Sequence, residues 1–300
     1  MGDADQLVEI SSTHWMELKD LFKNSWPKHE FAYYLLCNYV RWTSADPRLK
    51  ENIKIYSLNG CWRTDETFAL KEGFEIYFYS AAEGADSQHL VRLLSLMDWD
   101  AWQEISMDYL ERFHAVVEKV INIRGLSIVS SCMANYYYLV KNQALEMNIP
   151  PLPEGFAFES LHEKHLSYIY SQWPLKDNIS YESGYRLLKR LIQYNESVGL
   201  FDRSGLLVSW CLSDQTGAHS DLQTAVEHKR RGYGRMVVVE LAKRLARRGS
   251  DSKAYVLSSN ENSIKLFEGV GFRKIENLRW VVVHPRDPTM TENLSAKDLP

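Results

Sequence analysis

The stretch His228-Lys229-Arg230-Arg231-Gly232-Tyr233-Gly234-Arg235 concentrates the features of an anion site. Three basic side chains run into two glycines one residue apart. The helix formers of Arg235–Ala246 follow at once, and the strand-like segment Leu222–Val226 precedes. The order strand, basic glycine turn, helix sets the unpaired amides of a helix start, and the positive end of its dipole, beside three cations. Glycine tolerates unusual dihedrals and lets a ligand approach the backbone. A pyrophosphate is the group such a cradle holds. The plainer reading is a solvated basic turn; the glycines and the flanking elements favour phosphate.

The elements that position this turn are clearest in the second half of the chain. Strand patterns cover 156–161, 197–202, 206–212, 220–226, 253–258, 272–275 and 278–284, and helical periodicity covers 165–173, 181–194 and 262–269. With the helix after the glycine turn, which should stop at Gly249, the order is β-α-α-β-β-β-α-β-α-β. Such an order predicts an α/β fold with a mixed sheet covered by helices on both faces. Three prolines and a glycine within 148–155 predict a linker, so the expected domains are 1–150 and 151–288, with a polar tail at 289–300.

The first half reads as strands at 7–12, 53–58, 74–80 and 128–134. Helices are expected at 15–22, 31–42 and 89–96, and two apolar-periodic segments lie within 102–123. It echoes the second half. Each begins with a strand containing Glu (Glu9, Glu159), followed by a helix that ends in Trp-Pro (Trp26-Pro27, Trp173-Pro174) and a Tyr/Leu-rich helix. The first half has no glycine turn to match 232–234.

Composition narrows the function classes. The chain has 300 residues, a net charge of −4, 25% charged residues and 45% apolar residues, as folded soluble proteins do. That balance argues against a dedicated nucleic-acid binder, which needs a basic surface. Cys37, Cys61, Cys132 and Cys211 are far apart with no CxxC or zinc spacing, so reduced thiols, a cytoplasmic protein and no metal are expected. The start, Met-Gly-Asp-Ala-Asp-Gln, lacks an apolar signal region, and Gln6 stands where a myristoylation motif wants Ser or Thr. No apolar run approaches the roughly 20 residues of a membrane span. The many Trp and Tyr are read as packing residues.

Two blocks of the second half resemble the GCN5-related N-acetyltransferase (GNAT) superfamily, and within it the glycine N-acyltransferase branch. The family signature, [Gln/Arg]-x-x-Gly-x-[Gly/Ala], reads here as Lys229-Arg230-Arg231-Gly232-Tyr233-Gly234, with Lys in first place. The second block, an Asn followed by a helix and Gly-Phe, reads as Asn260 to Gly271-Phe272. The hairpin carrying Trp210 and Asp214-Gln215-Thr216-Gly217 looks like the glycine-acyltransferase branch. The resemblance covers roughly 156–286; the echo in the first half would make that half a degenerate GNAT-like repeat.

The resemblance implies acetyl-CoA or another acyl-CoA as donor and a primary amine of a small molecule or amino acid, such as glycine, as acceptor. The amides of Arg231 to Arg235 would hold the pyrophosphate. The backbone of Thr224, Ala225 and Val226 would pair with the pantetheine arm, and Asn260 and Phe267 would meet the cofactor. Two family positions depart from the pattern. Phe267 stands where a Tyr often protonates the leaving thiolate, and Ala218 where the branch has a Glu base. His219 and Asp221 are the nearby replacements, His219 because its ordinary pKa lies near neutrality. Strand alternation sets 219 and 221 on one face and 218 on the other unless a bulge intervenes. The alternatives are a non-catalytic CoA-binding protein and a protein or peptide N-acetyltransferase.

Overall fold

The computed structural model describes residues 4–81 and 87–285. They fall into two units. The first holds residues up to His29, Pro47–Cys132 and the chain from Arg279; the second holds Glu30–Asp46 and Met133–Leu278. The expected tail at 289–300, and residues 286–288 of the expected second domain, lie outside the described residues.

The first unit contains β1 (Leu7–Glu9), α1 (Trp15–Leu21), β2 (Ile53–Leu58), α3 (Trp62–Asp65), β3 (Thr67–Glu72), β4 (Glu75–Ser80), α4 (Ser87–Ser95), β5 (Ile105–Leu110) and α5 (His114–Arg124). The second contains α2 (Glu30–Ala45), α6 (Lys141–Glu146), β7 (Ala157–Glu159), α7 (Leu166–Gln172), α8 (Tyr181–Tyr194), β8 (Ser197–Phe201), β9 (Leu207–Ser213), β10 (His219–Thr224), α9 (Tyr233–Arg247), β11 (Ser252–Leu257) and α10 (Glu261–Val270). Strands β6 (Ser127–Leu139) and β12 (Arg273–His284) contribute residues to both.

Each unit builds a mixed sheet. In the first the strand order is β1-β2-β3-β4-β5, antiparallel until β4 meets β5 in parallel. In the second it is β6-β11-β10-β9-β8-β7, and the parallel pair is β10 with β11. In both units four consecutive strands run antiparallel. A helix then crosses over to a parallel fifth strand, α4 to β5 and α9 to β11, as parallel neighbours require. The first half is therefore a second copy of the same plan, as its sequence echo suggests.

The copies differ at the parallel pair. Past the register Ile76↔Met107 the fully buried rings of Phe78 and Tyr109 stack with centroids 5.6 Å apart, and Phe113 packs edge-on to Phe78. Aromatic packing thus closes the space between β4 and β5. Between β10 and β11 that space is open.

Helix α9 organises the second core. Val237, Leu241 and Leu245 pack with Val198, Leu200 and Val208, while Val238, Val239 and Ala242 pack with Val256, Phe267 and Phe272. Burying each large aliphatic side chain contributes roughly 1.5–3 kcal/mol over leaving it exposed, so two apolar faces fix how α9 lies and where its first turn points.

Three expectations need correction. The boundary near 150 does not separate the units. β6 pairs with β11 from Ser252↔Leu139 to Leu257↔Ala134, so residues 133–150 belong with the second unit. Helix α2 joins that unit too: Asn38 donates to the Gln215 carbonyl at 2.8 Å, and the Trp42 indole donates to Asn195 Oδ1 at 2.8 Å. Last, β3 and α6 were not expected, and the two strands expected within 272–284 are one, β12.

Candidate active site

Strand β10 carries the centre of the site. It pairs with β9 at Ser220↔Leu212 and next at Gln223↔Trp210, so one extra residue is inserted on β10. This is a β-bulge, and Asp221 within it has φ +49°. The bulge breaks the simple alternation, so Asp221 no longer shares the environment of His219. On the other side β10 meets β11 in register only at His219↔Ala254. Beyond that pair a cavity of about 160 Å³ opens, with Asp221 and Gln223 on one wall, Tyr255 and Leu257 on another, and Trp173 and Phe267 across it.

The expected cofactor end lies past β10. Gly232 has φ +81° and caps the start of α9, and Arg230 also has a positive φ. The first helical bond is Met236 N–H to the Gly232 carbonyl at 3.1 Å, which leaves the amides of Tyr233, Gly234 and Arg235 without helical partners. Lys229, Arg230 and Arg231 are exposed around them, and Arg235 donates to the Gly269 carbonyl at 2.8 Å, tying α9 to α10. The Tyr233 ring is buried between Phe156 and His228.

The three residues expected to pair with a pantetheine arm are not equivalent. The Ala225 amide donates to the Val208 carbonyl at 2.9 Å and is used within the sheet. Val226 begins a short 3-10 turn and its side chain is exposed. In the antiparallel alternation Thr224, opposite Ser209, turns its backbone N–H and C=O away from β9, toward the open edge. The Thr224 hydroxyl meets the Ser209 hydroxyl at 2.8 Å.

The two catalytic candidates separate. His219 is 1% exposed; Nδ1 lies 2.9 Å from the Lys253 carbonyl oxygen and Nε2 lies 3.3 Å from that of Val238. Its ring packs edge-on to Phe267 and Phe272. Burial pushes its pKa down to about 4. Enclosed by backbone oxygens, it joins β10, β11 and α9 and presents no lone pair to the cavity, which corrects its expected role as a base. Asp221 is half-buried, and burial pushes its pKa up to about 6; the adjoining Ser220 and Trp173 side chains oppose that shift without cancelling it.

Ala218, at the position where the resemblance to glycine N-acyltransferases implies an acid, is fully buried, and its amide donates to Asp214 Oδ1 at 3.0 Å. Phe267 is buried on Tyr137 and Phe272 and also lines the cavity. Asn260 caps α10, its Oδ1 accepting from the Ser263 amide at 3.1 Å, and both residues line the cavity. Sequence reasoning missed Ser263, Tyr255 and Trp173 as site residues. Ser263 alone carried a signal: it precedes Phe267 by four residues, so the two share one helix face.

A buried polar cluster supports the β9–β10 turn. Asp214 accepts from the Thr216 amide and hydroxyl at 2.8 and 2.7 Å, and burial pushes its pKa up to about 6. Lys253 is 1% exposed, donates to the Thr216 carbonyl at 2.8 Å and lies 3.4 Å from the centre of the Tyr34 ring; burial pushes its pKa down to about 8. Among the described residues no cluster of His, Cys, Asp and Glu suited to a metal occurs, and no helix is long and apolar enough to cross a membrane.

Residues 197–281 match the FR47-like protein family. A solved Drosophila protein superposes with a TM-score of 0.81 at 23% identity, over 95% of this chain and 100% of that one. A tandem GNAT protein from the clavulanic acid biosynthesis pathway gives 0.55 at 10% identity, over 95% and 99% of the two chains. A GCN5-related N-acetyltransferase from Sphaerobacter thermophilus gives 0.51 at 12% identity, over 96% and 98%. The chain therefore has a GNAT-like fold of two repeats, and its FR47-like segment lies in the second.

Proposed function

We propose that this protein is an N-acyltransferase that moves an acyl group from acetyl-CoA or another acyl-CoA to a primary amine of a small molecule. The carrying observation is the parting of β10 and β11 after one residue pair. It leaves the β10 edge open between a turn with free amides and a bulge that holds a carboxylate. The amides of Tyr233, Gly234 and Arg235, with Lys229, Arg230 and Arg231 around them, suit a pyrophosphate. The Thr224 backbone suits the amides of a pantetheine arm, as an added strand would. An acyl-CoA bound there supplies an activated carbonyl with a thiolate leaving group.

The roles at the reacting end follow from the side chains present. Asp221 takes the proton from the incoming ammonium, so that the nitrogen lone pair can attack the thioester carbon. As the C–S bond breaks, its electron pair goes to sulfur, and the nitrogen, which still carries two hydrogens after the attack, gives one to solvent so that a neutral amide is released. Phe267 has no proton to offer. The Ser263 hydroxyl, one helical turn earlier on the same cavity wall, donates a hydrogen bond to the thiolate. The thiols of Cys37, Cys61, Cys132 and Cys211, none in a disulfide with another described residue, suit a reducing, cytoplasmic compartment.

The buried Ala218 and Phe267 favour a second reading, a CoA-binding protein without catalysis. Two measurements separate the readings. Calorimetric titration with acetyl-CoA and longer acyl-CoAs should show binding, and an amine panel should release free CoA. Absence of acyl-CoA binding rejects both readings; binding without release under any amine leaves only the second.

A further inference from the structure

The wall around Asp221 restricts what the acceptor can carry. Among the described residues, Asp221 is the charged side chain that lines the cavity, and no Lys or Arg lines it. His219, the one imidazole there, is held neutral in the core. Two basic side chains near this part of the fold have their partners outside the cavity. Lys253 donates to the Thr216 carbonyl and sits on the Tyr34 ring, and Lys176, next to the lining residue Leu175, donates to the Ser171 carbonyl at 3.3 Å. The remaining lining near Asp221 is neutral, with Trp173, Leu222, Tyr255 and Phe267 prominent.

An α-amino acid that brings its amine to Asp221 brings its carboxylate within two bonds of that nitrogen. The carboxylate would then sit beside a second carboxylate with no cation to balance it. Like charges at that range repel strongly where water is partly excluded. A cationic amine on an apolar or aromatic body meets the opposite situation: Asp221 attracts the ammonium and the rings accept the body.

We infer that the acceptor is a primary amine without a neighbouring carboxylate, of the arylalkylamine or amide-blocked class, and not a free amino acid such as glycine. This rests on the acyl transfer proposed above and narrows its acceptor. It follows from the sign of the cavity, set by Asp221 with no countercharge, and not from the family resemblance, which pointed toward glycine.

Matched pairs test it: phenethylamine against phenylalanine, and glycinamide against glycine, with free CoA measured at saturating acetyl-CoA. The amine of each pair should exceed its amino acid by about 100-fold or more in kcat/KM. Gln223→Lys, which adds a cation to the cavity wall, should narrow that ratio. Calorimetry of acetyl-CoA with the same protein separates the two levels of argument. No donor binding overturns the transfer reading and this inference together. Donor binding with amino acids used as well as their amines, or with neither amine of the two pairs used, overturns the acceptor inference alone.

Discussion

The imidazole of His219 donates from Nδ1 to the Lys253 carbonyl, 2.9 Å away, at the one point where β10 and β11 pair in parallel. The ring closes the narrow end of the cleft from inside the core. Its pKa, near 4 in the folded protein, lies below the ordinary value of 6.5, so the unfolded chain binds the extra proton between those values. Stability contributed by the neutral ring is thus full above pH 6.5 and is lost as pH falls toward 4. A shift of that size corresponds to about 3 kcal/mol. His219→Gln should therefore destabilise the protein most at pH 7 and progressively less toward pH 5, in urea melts at each pH. The shape of the activity–pH profile should not move. A lost ionisation in that profile would return His219 to the chemistry.

Asp221 makes a pH prediction in the same direction, but for activity. Its carboxyl must be ionised to accept a proton, and burial holds its pKa near 6. kcat/KM should rise with pH through about 6 and then level until another group intervenes. Asp221→Asn should lower kcat by about 10²–10⁴-fold, the usual contribution of a positioned base. Acetyl-CoA affinity should stay within a few-fold. An unchanged acid limb in the variant would place the base elsewhere.

Gly232 offers a test of the turn. A Cβ at this position meets nothing within 4 Å, yet φ is +81°. The substitution is limited by backbone conformation and not by space. Gly232→Ala should cost about 1–3 kcal/mol of strain and weaken acetyl-CoA binding in calorimetry by moving the free amides of α9. Charge makes a separate contribution. Arg230→Ala with Arg231→Ala should also weaken binding, and that loss should shrink at high salt, as exposed charges are screened, while the Gly232→Ala loss should not.

The proposed cofactor half of the site can be read from the sequence because its parts are contiguous. Residues 229–235 supply the cations, the glycines and the helix start in one run, so spacing alone points to phosphate. The catalytic half depends on a bulge, and one inserted residue on β10 changes the setting of Asp221 relative to His219 without any mark in the sequence. From periodicity the two are alike; the structure buries one between carbonyls and leaves the other on a cavity wall. The first unit shows a related limit. Its strand order repeats the second unit, but closure of its parallel pair depends on Phe78 stacking on Tyr109, residues 31 positions apart by their numbers. The boundary at 150 failed for the same reason. Proline content marks a stiff connector at 148–155, whereas the pairing of β6 with β11 decides which unit the preceding residues join.

Ser263 carries the last prediction. Its amide is bound by Asn260 Oδ1, which fixes the first turn of α10, and its side chain lines the cavity on the same helix face as Phe267. A serine hydroxyl is too weak an acid to surrender its proton to a thiolate, so the role proposed for it is a hydrogen bond that strengthens as charge develops on sulfur. Ser263→Ala should lower kcat about 10-fold, on the order of 1.4 kcal/mol of transition-state stabilisation, with little change in KM for the amine. The loss should be small for acyl donors with an acidic thiol leaving group, whose thiolate needs less help. Phe267→Tyr tests the same step from the other direction. If its hydroxyl reaches the leaving sulfur, it should restore part of the activity in the Ser263→Ala background. Equal losses for weakly and strongly acidic leaving thiols would show that Ser263 shapes the cavity and does not act on sulfur.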